Sequence, residues 1–373
     1  MGLYFNPGNA SFQKAMRSEI YVDKTGLLEI LNSRLCSEDN CVALSHARRF
    51  GKSQAAGMID AYYSLGSDSK ELFAGFEIAT KPDFEEHLNK YNVIHVDISS
   101  FEDYYKDDLV EQLERSLRKE LQKEYPDIDY GAYFANVLNQ IRNASGAPFV
   151  IIIDEWDCLI RNQAENTALV HDYLQFLHSL FKSEEAKNFL ALAYITGILP
   201  IKKINNESAL NNFREYTMLD AKQLTPYFGF TESEVKKLCE RFEMDFESVK
   251  KWYDGYLIDG QHMYNPNSVY RAMTDHSLES YWKNTSHFGT INNYITLNFD
   301  GLKDDVLKML TGGRVSVCVD VFRDGFSQIN SKDDALTALI HLGYLSYDEE
   351  RKEAFIPNYE VSTVFRSSLV AEN

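Results

Sequence analysis

The chain has 373 residues, of which 44% are hydrophobic and 13% aromatic, and its formal net charge is −18. This composition excludes a disordered chain, and the length allows about two or three folded domains. The acidic balance disfavours broad nucleic-acid binding by the whole surface, although it leaves room for a local basic face.

Cysteine usage and hydropathy indicate the compartment. The five cysteines are scattered and form no CxxC pair, which is typical of reduced thiols without a zinc site. No secretory signal opens the sequence, and no apolar run approaches the roughly 18 residues of a membrane span. We therefore expect a cytoplasmic protein that does not associate with membranes.

The first predicted elements precede residue 41. Residues 21–26 (YVDKTG) predict a short strand or turn, and the apolar pattern over residues 27–31 predicts a helix. In the turn, Asp23 and Lys24 are candidates either for a ligand contact or for a salt-bridged surface turn.

A phosphate-binding pattern follows at residues 46–53 (HARRFGKS), between an apolar run that predicts a strand and a segment that predicts a helix. In this layout the backbone N–H groups and the helix N-terminus face phosphates, the lysine reaches the β- and γ-oxygens, and the serine binds Mg²⁺. Lys52 is therefore the predicted phosphate ligand and Ser53 a predicted Mg²⁺ ligand. The other predicted nucleotide contacts are Arg48, Arg49, Phe50, Gly51 and Gln54.

The loop departs from the usual pattern at one position. A glycine normally lies five residues before Gly51, and here His46 occupies that position. The alternative interpretation of the same residues is a surface Gly-Lys-Ser turn.

The next segments predict a strand and two helices. Residues 92–99 predict a buried strand, with Asp97 near its carboxyl end as a further site candidate. Leucines recur every fourth residue within 107–124 and predict an amphipathic helix, and residues 133–142 predict another.

An acidic strand follows at residues 149–155 (FVIIIDE). Five apolar residues without alternation favour a strand that is buried on both faces of a parallel sheet, where ligands lie at the carboxyl ends of the strands. Asp154 is the predicted Mg²⁺ ligand, and Glu155 is predicted to orient the water that attacks the γ-phosphate. The alternative is a strand that stops at two solvated acids.

The order of these elements predicts the class of sheet. One strand and its helices lie between the loop strand and the acidic strand, and the glutamate directly follows the metal-binding aspartate. This order indicates an additional-strand P-loop NTPase, an α/β fold with a parallel sheet sandwiched by helices. It favours ATP hydrolysis coupled to motion over phosphate transfer to a metabolite.

The remaining sequence completes the predicted layout. A strand over residues 189–195 ends at Thr196, which we predict to be a sensor of the γ-phosphate, and the last core strand is predicted at 216–219. The predicted catalytic residues are thus Glu155, Lys52 and Thr196. We predict a P-loop core over residues 1–220, a helical lid over 221–299 and a winged-helix-like domain over 300–373.

Several motifs resemble one known family, the AAA-ATPase-like proteins of bacteria and archaea. The matching motifs are YVDKT at 21–25, RRFGKS at 48–53, IDEWD at 153–157, TGILPI at 196–201, ALNNF at 209–213, YDGY at 253–256, YNPNSV at 264–269 and IPNYEV at 356–361. The resemblance implies that Lys52 and Ser53 bind phosphate and Mg²⁺, and that Asp154 and Glu155 serve metal and water.

The chain also differs from the family pattern. The family usually has Arg-Pro before the RRFGKS motif, where this chain has His46-Ala47, and Lys-Pro after Asp157, where it has Cys158-Leu159. Members often carry a PD-(D/E)XK nuclease-like domain, but no Glu-x-Lys motif follows residue 361. An ATPase-only member and a shortened chain are both compatible with this pattern.

Three hypotheses about function follow from the sequence. The first is a Mg²⁺-dependent ATPase that acts as a nucleotide-driven switch, with ATP as ligand, a protein partner or self-association, and an arginine finger from Arg48, Arg49 or a neighbouring subunit. The second is a non-hydrolysing interaction module that keeps the fold. The third, a nuclease-linked protein that acts on nucleic acid, is disfavoured by the net charge.

Overall fold

The computed structural model describes residues 2–102, 105, 108–201, 210–282, 298–321 and 329–371. The chain forms two compact units. The first contains the described residues of Met1–Leu44, Lys52–Lys202 and Asn206–Glu215, and the second those of Ser45–Gly51 and Tyr216–Asn373. Within our sequence predictions, Asp107, Ala209 and residues 283–297 of the predicted lid lie outside the described residues.

The centre of the first unit is a five-stranded sheet with the order β2-β3-β4-β1-β5. Its strands are β1 (Cys41–Ser45), β2 (Asn92–Asp97), β3 (Phe149–Asp154), β4 (Leu190–Gly197) and β5 (Arg214–Thr217). The strands β2 and β3 pair in parallel, as do β3 and β4. Every residue of β1, β3 and β4 is buried, as expected for apolar runs without alternation.

The position of β4 confirms the predicted fold class. It lies between β1, which leads into the phosphate-loop sequence, and β3, which ends in the acidic pair. This extra strand is the defining feature of the additional-strand arrangement. The predicted last core strand was misplaced by two residues, since β5 begins at Arg214 rather than at Tyr216.

The first unit also contains eleven α-helices in its described residues. They are α1 (Ala10–Met16), α2 (Gly26–Asn32), α3 (Lys52–Tyr63), α4 (Lys70–Phe73), α5 (Phe84–His87), α6 (Ile98–Glu102), α7 (Leu109–Glu124), α8 (Phe134–Ser145), α9 (Cys158–Asn162), α10 (Thr167–Phe181) and α11 (Ala186–Phe189). The leucine pattern of α7 is confirmed as its buried face, formed by Leu109, Leu113, Leu117 and Leu121. The helix α8 ends at Ser145 and is capped by Gly146, which has a left-handed conformation that glycine adopts without steric cost.

The second unit combines helices with two small antiparallel sheets. Its helices are α12 (Glu232–Arg241), α13 (Phe246–Tyr253), α14 (Pro266–Asp275), α15 (Leu302–Leu310), α16 (Lys332–His341) and α17 (Tyr359–Ala371). Its strands are β6 (Phe230–Thr231), β7 (Tyr256–Ile258), β8 (Gln261–Tyr264), β9 (Val315–Ser316), β10 (Ser346–Asp348) and β11 (Glu353–Phe355). The sheets have the orders β6-β8-β7 and β10-β11-β9.

The start of α12 and the elements of the predicted lid and winged-helix-like domain are visible in this unit. The helix α12 begins with a capping box, in which Thr231 and Glu234 exchange side-chain and backbone hydrogen bonds. The segment predicted as a helical lid also contains the sheet β6-β8-β7, and after residue 300 the helices α15 and α16 precede the hairpin of β10 and β11. The three-part domain division and the winged-helix assignment stay predictions.

Within the described part of the chain, we find no helix with the length and hydrophobicity that a membrane crossing requires.

Candidate functional site

The loop lysine and the acidic end of β3 form one electrostatic site in the first unit. Lys52 opens α3 and is only 4% exposed. Burial lowers the pKa of Lys52, and the carboxylates of Glu155, Asp154 and Asp157 act on it in the opposite direction. The two sequence motifs, about a hundred residues apart, therefore converge as the sequence predicted. Ser53 and Gln54, which follow in the first turn of α3, are exposed.

Asp154, the predicted metal ligand, is held at the end of β3 by two hydrogen bonds. Its Oδ1 accepts a hydrogen bond from the Thr196 hydroxyl and another, at 3.0 Å, from the Glu155 backbone N–H. Both Asp154 and Thr196 are buried. The predicted sensor at the end of β4 thus contacts the predicted metal ligand directly.

Glu155 lies at a strained corner after β3. Its φ of 50° is left-handed, a conformation that costs a residue with a side chain roughly 1–2 kcal/mol. The carboxylate accepts a hydrogen bond from Arg161 Nη2 at 3.1 Å. Burial raises the pKa of Glu155, whereas the charges of Lys52 and Arg161 lower it.

Two further residues of this corner, Asp157 and Arg161, are not among the site residues predicted from the sequence. Asp157 occupies the N-cap position of α9, but its side chain makes no capping bond. Instead its Oδ2 accepts hydrogen bonds from Arg161 Nε at 2.8 Å and from the backbone N–H groups of Ile198 and Leu199 at 3.2 and 2.7 Å. The spacing of four residues between Asp157 and Arg161 was the available signal, because residues so spaced are neighbours on a helix.

Gly197 makes room for this arrangement. A Cβ at this position would lie 2.5 Å from Asp157 Oδ1 and 2.7 Å from Trp156 Cδ1. The backbone after Thr196 can therefore approach the acidic corner only because residue 197 has no side chain.

Residues 45–51, which directly precede Lys52, belong to the second unit, and some of them contact other side chains of that unit. Phe50 is fully buried in a hydrophobic cluster that includes Tyr256 and Met263, and its carbonyl accepts a hydrogen bond from Gly229 N–H at 3.1 Å. The ring of His46 lies 4.6 Å from that of Phe50. The residue in place of the usual glycine is thus a packing residue.

The two arginines and the glycine of the loop differ in their surroundings. Arg49 is exposed, with a φ of 67°, and its Nη1 donates to the Tyr281 carbonyl at 2.8 Å. The carbonyl of Arg48 accepts a longer hydrogen bond from Asn265 Nδ2 at 3.5 Å. Gly51 has a φ of +93°, which requires glycine.

Two candidates from the first part of the chain serve local structure. The Asp23 carboxylate accepts hydrogen bonds from the backbone N–H and hydroxyl of Thr25 and from the backbone N–H of Glu77. Asp97 accepts from the N–H and hydroxyl of Ser99 at the start of α6. Asp97 thus organises its own turn, whereas Asp23 also connects its turn to the backbone at Glu77.

The sheet order and the convergence of Lys52 with the acidic end of β3 define an α/β protein of the P-loop NTPase class. The family model described as Predicted AAA-ATPase matches residues 8–205, more than half of the 373 residues, and the chain belongs to this family. This match confirms the family resemblance that the sequence motifs indicated.

More distant similarities were also found. The chain is 24% identical over 273 residues to the "Uncharacterized protein in vnfD 5'region" of Azotobacter chroococcum mcd 1, covering 71% of this chain and 50% of that protein. It therefore spans about half the length of this curated relative. Two structures of the Aeropyrum pernix ORC2 protein are 12% identical: the ADPNP-ADP complexes have a TM-score of 0.41 and cover 99% of each chain, and the ADP form has a TM-score of 0.33 and covers 100% of this chain and 99% of that one.

Proposed function

We propose that this protein binds Mg²⁺–ATP at the start of α3 and hydrolyses it. The observation that supports this most is the electrostatic site that Lys52 shares with Asp154 and Glu155, in a member of an ATPase family. The side chains present fit the ligand chemically. Asp154 and Ser53 offer the hard oxygen donors that Mg²⁺ prefers, and Lys52 offers an ammonium for phosphate oxygens.

Each residue has a defined task in this proposal. Lys52 binds the β- and γ-phosphate oxygens and stabilises the charge that develops during hydrolysis, while Ser53 and Asp154 hold the metal ion. Bound Mg²⁺ would supply further neutralisation of phosphate charge. Thr196 fixes the Asp154 carboxylate by its hydrogen bond, and Glu155 orients a water and accepts its proton.

The biological role that we propose is a nucleotide-driven switch. ATP binding would order one state of the protein and hydrolysis would release it, with a protein partner or a second copy of the chain as the responding molecule. The acidic net charge of −18 disfavours a nucleic acid in this role.

The test is ATP turnover in the wild type and in Glu155→Gln. General-base catalysis is worth about 100-fold or more, so we expect turnover to fall by at least that factor while ATP still raises the melting temperature. Lys52→Met is the matched control for binding, and it should abolish the nucleotide-dependent thermal shift.

A second candidate is a non-hydrolysing interaction module. It is favoured by the packing of His46 and Phe50, because a phosphate loop usually has glycine at the position of His46. Equal, near-zero turnover in wild type and Glu155→Gln, with no nucleotide-dependent thermal shift, would select this candidate and exclude the ATPase.

A further inference from the structure

Glu155, the proposed water-orienting residue, forms an ion pair with a buried arginine, Arg161, that has no role in the proposed mechanism. The side chain of Arg161 is only 6% exposed, and its Nη2 lies 3.1 Å from Glu155 Oε2. Glu155 itself is 20% exposed, so one end of this ion pair is buried and the other reaches the surface of the site. Arg161 lies on α9, immediately after the acidic corner.

The other edge of the guanidinium is fixed to the protein framework. Arg161 Nε donates to Asp157 Oδ2 at 2.8 Å, and Asp157 is fully buried. The same carboxylate oxygen accepts the backbone N–H groups of Ile198 and Leu199, directly after β4. A continuous set of contacts therefore runs from the end of β4 through Asp157 and Arg161 to Glu155.

We propose that Arg161 is a positioning residue for Glu155, which it holds in the orientation needed to direct a water toward the γ-phosphate. This inference rests on the proposed ATPase function. A guanidinium is planar and offers several donors in a fixed fork, so it binds two carboxylates with a defined geometry between them. Glu155 requires such a support because it lies at a strained corner of the backbone and its side chain is partly exposed.

The predicted consequence is a loss of turnover without a loss of nucleotide binding. A displacement of about 1 Å of a catalytic group can cost about 100-fold in rate. We therefore expect Arg161→Met to lower kcat by about 10- to 100-fold, while the ATP dissociation constant changes by less than about 3-fold. Arg161→Lys should recover only part of the rate, because a single ammonium does not reproduce the fork.

A double-mutant cycle separates positioning from a general structural role. If Arg161 acts through Glu155, then Arg161→Lys should have no further effect on kcat in the Glu155→Gln background. The same cycle measured on melting temperatures without nucleotide should also be non-additive, since the ion pair is present without ATP.

Arg118→Lys is the matched control. Arg118 on α7 forms an ion pair with Glu114, four residues earlier on the same helix and outside the acidic corner. We expect the kcat of the Arg118→Lys variant to equal that of the wild type. If Arg161→Met does not fold, Arg161→Lys, which keeps a positive charge beside the buried Asp157, carries the comparison.

Each contrary outcome has a distinct meaning. Wild-type kcat in the Arg161 variants would overturn the inference and leave the ATPase proposal intact. A raised ATP dissociation constant at unchanged kcat would make Arg161 a nucleotide ligand, and full additivity with Glu155→Gln would show that it acts elsewhere. Either result overturns the positioning role. Absence of turnover in the wild type would overturn the ATPase proposal and this inference together.

Discussion

A buried glutamate in the second unit should make the stability of this protein depend on pH. Glu360 lies on α17 and is fully buried. Its Oε1 accepts hydrogen bonds from Tyr281 N–H at 2.7 Å and from the Ser268 hydroxyl at 3.1 Å, whereas Oε2 has no hydrogen-bond partner among the described residues. Burial raises the pKa of Glu360 from 4.5 to about 7, against the opposing effects of these hydrogen bonds and of Arg49.

The sign of the effect follows from proton binding in the two states. Between pH 4.5 and about 7 the folded protein keeps the proton on Glu360 and the unfolded chain has lost it. The contribution of Glu360 to the free energy of unfolding is therefore fully present below the unfolded pKa of 4.5, and it is lost as the pH rises to about 7. Because each pH unit in this window is worth about 1.4 kcal/mol, the cost above pH 7 is about 3 kcal/mol.

The perturbation is Glu360→Gln, which keeps the shape and removes the charge. We expect the variant to be more stable than the wild type at pH 8, and its advantage should shrink by about 2 kcal/mol between pH 8 and pH 5.5. At about 2–4 °C per kcal/mol, the difference in melting temperature should change by about 4–8 °C.

Thermal unfolding by circular dichroism at the two pH values measures this effect. Glu350→Gln, at an exposed turn position, is the control, and we expect its stability to differ from the wild type by less than about 0.5 kcal/mol at both pH values. An advantage of Glu360→Gln that does not change with pH, or a variant less stable than the wild type at pH 8, would refute the reasoning.

Two further predictions concern the candidate site. Gly197→Ala should lower the free energy of unfolding by about 1–3 kcal/mol, because its Cβ would lie 2.5 Å from Asp157 Oδ1; urea denaturation measures this, and wild-type stability would contradict the described packing. Lys52→Met should remove the ATP-dependent thermal shift while the protein without nucleotide stays folded, since burial of the Lys52 ammonium disfavours its charged form. A retained shift in differential scanning fluorimetry would count against Lys52 as the phosphate ligand.

Local patterns were sufficient to identify the main elements. The unbroken apolar run of β3 and the leucine spacing of α7 each report how a single segment is buried, and both predictions were confirmed. The capping box at Thr231 is a similarly local feature, because it involves residues only three positions apart. The end of the sheet was less accurate, since the polar β5 has no continuous apolar run.

The candidate site could be predicted only in part. The motifs named Lys52, Asp154, Glu155 and Thr196, and the structure brings these residues of the first unit together. The sequence did not indicate the contact between Asp157 and the backbone of Ile198 and Leu199, because this contact joins positions about forty residues apart.

The sequence by itself determined the apolar strands of the large sheet, the position of the lysine before a helix and the acidic pair at the end of a buried strand, since each depends on short-range chemistry. Only the tertiary structure decided which side chains are removed from water and which partners they meet. It placed Phe50 in a hydrophobic cluster and Arg161 beside Glu155. The physical reason is that burial and ion pairing depend on segments distant in the chain, which no local pattern records.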